Sequence, residues 1–417
     1  MTPGNSSGGI WVSQMNRRQA LQLLAALGTT GMLAGCGSND DDTSATDGSP
    51  IKIGLVAPQT GPGKTVGAEL INGFQLYLML NDQRLGGHPV TLVTADEGAN
   101  PKSGQAAIDG LIKQGVLALT GVVNAAVLSA VRDLVEKARV PLVASNASAS
   151  SLQSVVYIWR TAYVLDEPGR ALGAYLKETM PAGDRIAVIA PEGAAGQDVV
   201  KGFQEAFGPD DPRLAGQPVW TTAAANPGDN AFGYDLNQVL ARKPDALFCS
   251  FAGTAAAQFL RQLRARSWKG ALYGPGFLTE GTVLNEVASS LADVETQRLR
   301  PGTIQTAMNY SADLNNSANR IFTSEYRRAF NASPTAYAVA SYDAAQALDK
   351  AIQLAGPNPN PQQVNLAMGK VGQIDSPRGV WQFNQPRTPQ QQWYLRRVQY
   401  DGQLLSNVLV TEIATLG

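Results

Sequence analysis

Ile51-Lys-Ile-Gly-Leu-Val-Ala57 is a β-rich run, Leu70, Phe74 and Leu78 follow at i, i+4 and i+8, and Val90-Thr-Leu-Val93 is β-rich again. Apolar residues four apart share one face of a helix, so this stretch reads strand, helix, strand. The pattern repeats outward. Ala106 to Ile112 is helical, Val116-Leu-Ala-Leu119 a strand, Val127 to Val135 helical and Pro141-Leu-Val-Ala144 a strand. Such a βαβ rhythm implies a parallel sheet covered on both faces. It restarts at Arg185-Ile-Ala-Val-Ile-Ala190, with Val199, Phe203 and Phe207 on one helical stripe. Ala246-Leu-Phe-Cys-Ser-Phe251, the helical run Ala255 to Leu263 and Ala271-Leu-Tyr273 complete the second set. The fold class is therefore α/β, with two doubly wound lobes. Ligands of such sheets bind outside the carboxyl ends of the strands, so two units facing each other would form a cleft. Helices over Ala318 to Phe330, Tyr337 to Leu354 and Gln363 to Lys370 follow, and the chain closes with strands at Trp381-Gln-Phe383 and Trp393 to Tyr400, the latter running to a turn at Asp401-Gly402.

Composition removes several functions. The chain has 417 residues, more than one core comfortably holds. Its net charge of -1 and lack of a basic stripe exclude nucleic acid as a partner. The single histidine, His88, sits in the turn sequence Gly86-Gly-His-Pro-Val90, which leaves no multi-histidine metal site and almost no scope for a histidine triad. No metal, cofactor or catalytic residue is expected. Gly63-Lys64-Thr65 is not a phosphate-binding loop, because Pro58 replaces the required glycine and Pro62 removes an amide donor. The acid pairs Asp96-Glu97 and Asp166-Glu167 read as caps or solvated loop residues without raised pKa values. Cys249, in an apolar run, reads as a buried structural thiol.

The start of the chain has a different character. Arg17-Arg18 precede an apolar segment, Ala20 to Ala34, too short to span a bilayer. Its end, Leu33-Ala-Gly-Cys36, resembles a bacterial lipobox, in which the cysteine is acylated and becomes the new N-terminus. Residues 1–35 are then a signal peptide and residues 36–50 a lipidated cysteine with a flexible acidic tether. Acylation of Cys36 would hold the protein at the outer face of the membrane and leave no partner for an internal disulfide. Asn16-Arg-Arg-Gln-Ala-Leu21 partly matches a twin-arginine export signal, and Met15 is an alternative start.

An ordered set of short features runs from residue 51 to about 403. It includes Gln59-Thr-Gly-Pro62, Asp96 before Asn100-Pro-Lys102, Gly121 after a strand, Val140-Pro141, Ser145-Asn-Ala-Ser148 and Trp159-Arg-Thr161. Gly196, Pro334, Ser341-Tyr-Asp-Ala344 and Gly379-Val-Trp-Gln-Phe383 continue it. Together these resemble the type I periplasmic binding proteins that serve branched-chain amino acid ABC importers. The resemblance implies a small-molecule ligand, importer permease subunits as partners, a monomer and no catalysis. It implies crossovers near Tyr163, Tyr310 and Ile374, with lobes of residues 51–164 plus 309–372 and 165–308 plus 373–417. It also implies ligand contacts at Gln59, Asn124, Ala125, Ala147, Ser148, Tyr163, Phe251 and Phe277. In the amino-acid binders a serine occupies the place of Ala125, an aromatic that of Ala195, and a carboxylate for the ligand ammonium that of Gly276 or Phe277. Those three departures argue against a leucine-like zwitterion. They favour another carboxylate, an amide, or an aromatic or aliphatic acid. For Asn124 helix capping is an equal reading, and for Phe251 core packing nearly so. Glu280, a few residues on, reads equally as a ligand partner or a helix cap. A ligand-sensing receptor of the same fold, an exported enzyme and a cleft that no longer binds are the alternatives.

Overall fold

The computed structural model describes residues 48–225, 228–266, 268–291, 303–402 and 404–417. The export signal and Cys36 lie outside the described residues. Among those described, no helix is long and apolar enough to cross a membrane.

The first sheet is built by β1 (Ile51–Ala57), α1 (Lys64–Leu80), β2 (Arg84–Leu85), β3 (His88–Asp96), α2 (Pro101–Lys113), β4 (Ala118–Gly121), α3 (Ala125–Ala130), α4 (Arg132–Ala138), β5 (Leu142–Ala144) and β6 (Ile158–Arg160). Its strand order is β2-β3-β1-β4-β5-β6. β1 lies parallel between β3 and β4, with Ile53 opposite Leu92 and Ala118, and every β1 residue but Lys52 is buried. The helix expected over Val127 to Val135 is two helices. Its stripe continues across the break because Val131 and Val135 still bond to carbonyls four residues back.

The second sheet takes α5 (Glu167–Thr179), β7 (Ile186–Pro191), α6 (Ala194–Phe207), β8 (Val219–Thr221), α7 (Gly233–Leu240), β9 (Ala246–Cys249), α8 (Gly253–Arg264), β10 (Ala271–Pro275), α9 (Val283–Leu291) and β11 (Ile304–Met308). The chain then returns through α10 (Ser317–Phe330), α11 (Ala336–Ala355) and α12 (Pro361–Met368). Ala344, Leu348, Ile352, Val364 and Met368 fill the core beneath Ile53, Leu55 and Val143 of the first sheet. Finally β12 (Ile374–Ser376), β13 (Gly379–Phe383), β14 (Pro389–Asp401) and β15 (Leu404–Leu416) extend the second sheet, ordered β12-β13-β14-β11-β10-β9-β7-β8 with β15 along β14. The chain therefore passes between the sheets after β6, after β11 and after α12.

Helix pairs pack closely where glycine removes a side chain. A Cβ on Gly169 of α5 would lie 2.1 Å from the Val199 carbonyl oxygen of α6. Alanine normally stabilises a helix over glycine by about 1 kcal/mol. Gly169→Ala is expected to reverse that sign and lower stability by about 1–3 kcal/mol through overpacking. Gly110→Ala in α2, where a Cβ meets nothing within 4 Å, is expected to follow the ordinary sign. Urea unfolding of the two variants checks both.

Candidate functional site

One buried cluster draws residues from both sheet units. Leu76, Ala147, Tyr163, Ala336 and Ala338 pack there with Met308, Tyr310, Trp393 and Leu395. On the first sheet, β4 ends at Gly121, where φ is +101° and a Cβ would lie 2.0 Å from the Val56 carbonyl oxygen. The turn that follows directs the amides of Val123 and Asn124 onto the carboxylate of Glu97, at 2.7 and 2.8 Å. Glu97 is fully buried, and burial raises its pKa despite these bonds. Asn124 caps α3, accepting from the Ala126 amide at 2.9 Å. The capping reading of Asn124 therefore holds, and Ala125, half-buried, borders the shared core.

Beside this turn lies Ser145-Asn-Ala-Ser148, tied to it by Asn146 Nδ2 donating to the Val123 carbonyl at 2.7 Å. Ser145 and Ser148 are wholly buried, and neither hydroxyl has a hydrogen-bond partner among the described residues. Buried hydroxyls are rarely left so. The Ser148 amide, by contrast, donates to the Tyr163 carbonyl at 3.0 Å. Only its hydroxyl remains open. The Tyr163 ring stands edge-on to Trp393, with centroids 5.4 Å apart.

On the second sheet, β10 runs into Gly276, Phe277 and Glu280. Phe277 is half-buried against the shared core. A Cβ on Gly276 would lie 2.6 Å from Met308 and 2.7 Å from Nη2 of Arg396, so a carboxylate side chain has no room there. The space holds a guanidinium instead. Arg396 of β14 donates to the carbonyls of Tyr310 (3.1 Å) and Gly276 (3.3 Å) and pairs with Glu280 at 2.6 Å. The other Glu280 oxygen accepts from the Ala336 amide at 3.0 Å, so both oxygens of Glu280 are engaged. Glu280 and Arg396 are 6% and 2% exposed.

A buried polar network joins the passages between the sheets. Gln391 Nε2 donates to the Ala162 carbonyl at 2.8 Å, and its Oε1 accepts from Asn309 at 2.8 Å and Arg378 at 2.7 Å. Arg378 pairs with Asp343 at 3.0 Å, and Asp343 accepts from Ser376 and Trp381. Ala162, Asn309 and Ser376 lie on three different passages. Glu167 touches the same Gln391 at 3.3 Å, and burial pushes its carboxyl up to about 7.

Other sequence expectations fare variously. Gln59 is exposed, its amide bound to Asp96 at 2.9 Å. Phe251 is a correction: it packs against Phe232 and Phe259 inside the second sheet's core, with ring centroids 5.1 and 4.5 Å away, and forms no wall of the site. Glu97 and Glu167 also depart from the solvated reading, since the second acid of each pair turns inward. His88 is buried at the start of β3, within 2.9 Å of the Ser49 carbonyl. Cys249 is the buried thiol expected, its pKa raised by burial. Sequence reasoning missed Arg396 and Glu97 as parts of the site. Arg396 ends a run of four buried residues, Trp393 to Arg396, where the pairing of β14 with β15 shifts register, so strand alternation does not reveal it.

A family model described as periplasmic binding protein matches residues 50–403. Leu/Ile/Val-binding protein BraC3 of Rhizobium johnstonii is 24% identical over 322 residues, 76% of this chain and 83% of that protein. A solute-binding protein of an ABC transporter from R. palustris, solved with benzoate, is 26% identical with a TM-score of 0.76, covering 88% of this chain and 97% of its own. LivJ of Streptococcus pneumoniae, solved with isoleucine, is 17% identical with a TM-score of 0.73, covering 87% and 99%. At that identity the likeness is one of fold.

Proposed function

The chain belongs to the periplasmic binding protein family, and from that premise we propose that it captures a small organic acid lacking an α-ammonium group and delivers it to an ABC importer. The family is extracytoplasmic and its role is solute binding. The observation that carries the ligand class is the Arg396–Glu280 pair beside Gly276. An ammonium group buried there would meet a guanidinium and a carboxylate already engaged twice, and an unpartnered buried charge costs several kcal/mol. The Ser145 and Ser148 hydroxyls supply donors suited to a carboxylate, and Tyr163, Phe277 and Trp393 supply apolar and aromatic walls. Benzoate in the R. palustris relative supports an aromatic acid.

In this reading residues 51–164 plus 309–372 form one lobe and residues 165–308 plus 373–417 the other. Closure bends the three passages that Gln391, Asn309 and Arg378 tie together. Cys36 carries a lipid anchor, and Cys36→Ser is expected to release the protein from washed membranes.

Thermal unfolding with benzoate, 4-hydroxybenzoate, isoleucine and leucine tests the ligand class. A ligand at a hundredfold excess over its Kd stabilises by about 2.7 kcal/mol. The acids are expected to raise Tm and the amino acids to leave it unchanged. A rise with leucine or isoleucine instead would sink the ammonium-free reading. Ser148→Ala is expected to weaken binding of the identified acid at least tenfold, as a hydrogen bond to a charged group contributes about 1.5–3 kcal/mol. The unliganded variant should be no less stable, because the lost hydroxyl had no partner. Calorimetric titration and urea unfolding read the two effects.

A further inference from the structure

Two carboxylates from opposite sides of the site converge on the first residues of α11. Glu69 of α1 accepts from the Thr335 hydroxyl, and Glu280 accepts from the next residue's amide, that of Ala336. Thr335 is the N-cap of α11, and its side chain makes no cap bond of its own. A Cβ on Gly281 would lie 3.9 Å from Glu69 Oε1, which places the Glu69 carboxyl against the loop that carries Glu280. α1 and α11 pack on the first sheet, whereas the Glu280 loop leaves the second. The contact is therefore a latch between the two sheet units.

We propose that closure of the two units is proton-linked: Glu69 takes up a proton when Glu280 docks on α11 and releases it when the units part. The groups facing Glu69 are Thr335 at the N-cap of α11, Tyr337 of α11, Tyr326 of α10 and Glu280, whose second oxygen is held by Arg396 of β14. No cation is among them except through Glu280. Burial, with Glu280 adding to it, pushes the Glu69 carboxyl up to about 8 from its ordinary 4.5, against the lowering effect of Thr335. Glu69 is half-buried in this arrangement, and opening wets it further and removes Glu280. A group whose pKa is raised in the closed form favours that form fully below its open-form value. The preference is lost as pH rises through about 8. Each pH unit in between changes the closed-to-open ratio by up to tenfold.

The inference rests on the hinge reading above, and the test separates the two. Hydrogen exchange at the Ala336 amide, corrected for intrinsic pH dependence, is measured from pH 5 to 9 in the wild type, Glu69→Gln and Glu280→Gln, with Ile53 in β1 as the core reference. In the wild type, Ala336 protection is expected to fall at least tenfold between about pH 5.5 and 8.5 while Ile53 holds. Glu69→Gln, neutral at every pH, should abolish that fall, and Glu280→Gln should lower protection throughout. Glu167 and Asp343 in the hinge also have raised pKa values, so the difference between wild type and Glu69→Gln isolates the latch. A flat wild-type profile with Ala336 exchanging faster than Ile53, or an equal fall in Glu69→Gln, overturns the proton linkage alone. Ala336 protection equal to that of Ile53 at every pH overturns the hinge opening as well.

Discussion

Glu280→Ala is expected to lower stability by about 3–5 kcal/mol. The loss has two sources. Arg396, 2% exposed, keeps its bonds to the carbonyls of Tyr310 and Gly276 but no longer has a counter-charge. The Ala336 amide at the start of α11 also loses its acceptor. Removing both charges is a different experiment. A buried ion pair replaced by well-packed apolar groups is often neutral in stability, because desolvation of the charges offsets their attraction. Glu280→Leu with Arg396→Leu is therefore expected to recover most of what Glu280→Ala loses. Urea unfolding of the single and double variants decides it. If the double variant is as unstable as the single, the pair holds the second sheet's end through its hydrogen bonds rather than through charge balance.

Arg378→Ala is expected to cost a comparable 3–5 kcal/mol near neutral pH, and less in acid. Its partner Asp343 is wholly buried, and burial pushes that carboxyl up to about 6 from 3.8, even though Arg378, Ser376 and Trp381 pull it down. Since the folded value is raised, Asp343 contributes its full share below about pH 4. That share is lost as pH rises through 6. Without Arg378 the folded value climbs further, so the range over which stability declines extends upward. Denaturation midpoints from pH 5 to 8 should fall more steeply in Arg378→Ala than in the wild type. A constant difference across that range would mean that packing of the guanidinium over Trp381, 4.8 Å from the ring centroid, dominates instead. The same variant removes one of the two donors to Gln391 Oε1 while leaving its bonds to Ala162 and Asn309, so it also tests the network between the sheets.

The amino-acid sequence by itself determined the two α/β units, because the burial of β1 and the stripes on α1 and α6 are local. A strand buried on both faces needs a continuous apolar run, and a helix on a sheet needs apolar residues every three to four positions. Both patterns are read from neighbours in the chain. The resemblance to the amino-acid binders, matched residue by residue, added the expectation of a serine loop at Ser145 to Ser148 and of no carboxylate at Gly276. The tertiary structure decided that Arg396 and Glu280 lie against Gly276. Arg396 and Glu280 are 116 positions apart, and no periodicity links them. The same holds for Glu97, whose inward turn depends on amides 26 and 27 residues further on. A carboxylate at a strand end looks solvated until the loop beside it is seen to supply donors. Phe251 shows the converse. Its position after a strand fitted a site wall, and only the rings of Phe232 and Phe259 around it place it in the core. Burial of a segment is written in its own residues, whereas the pairing of charges is settled by which distant backbone arrives against them.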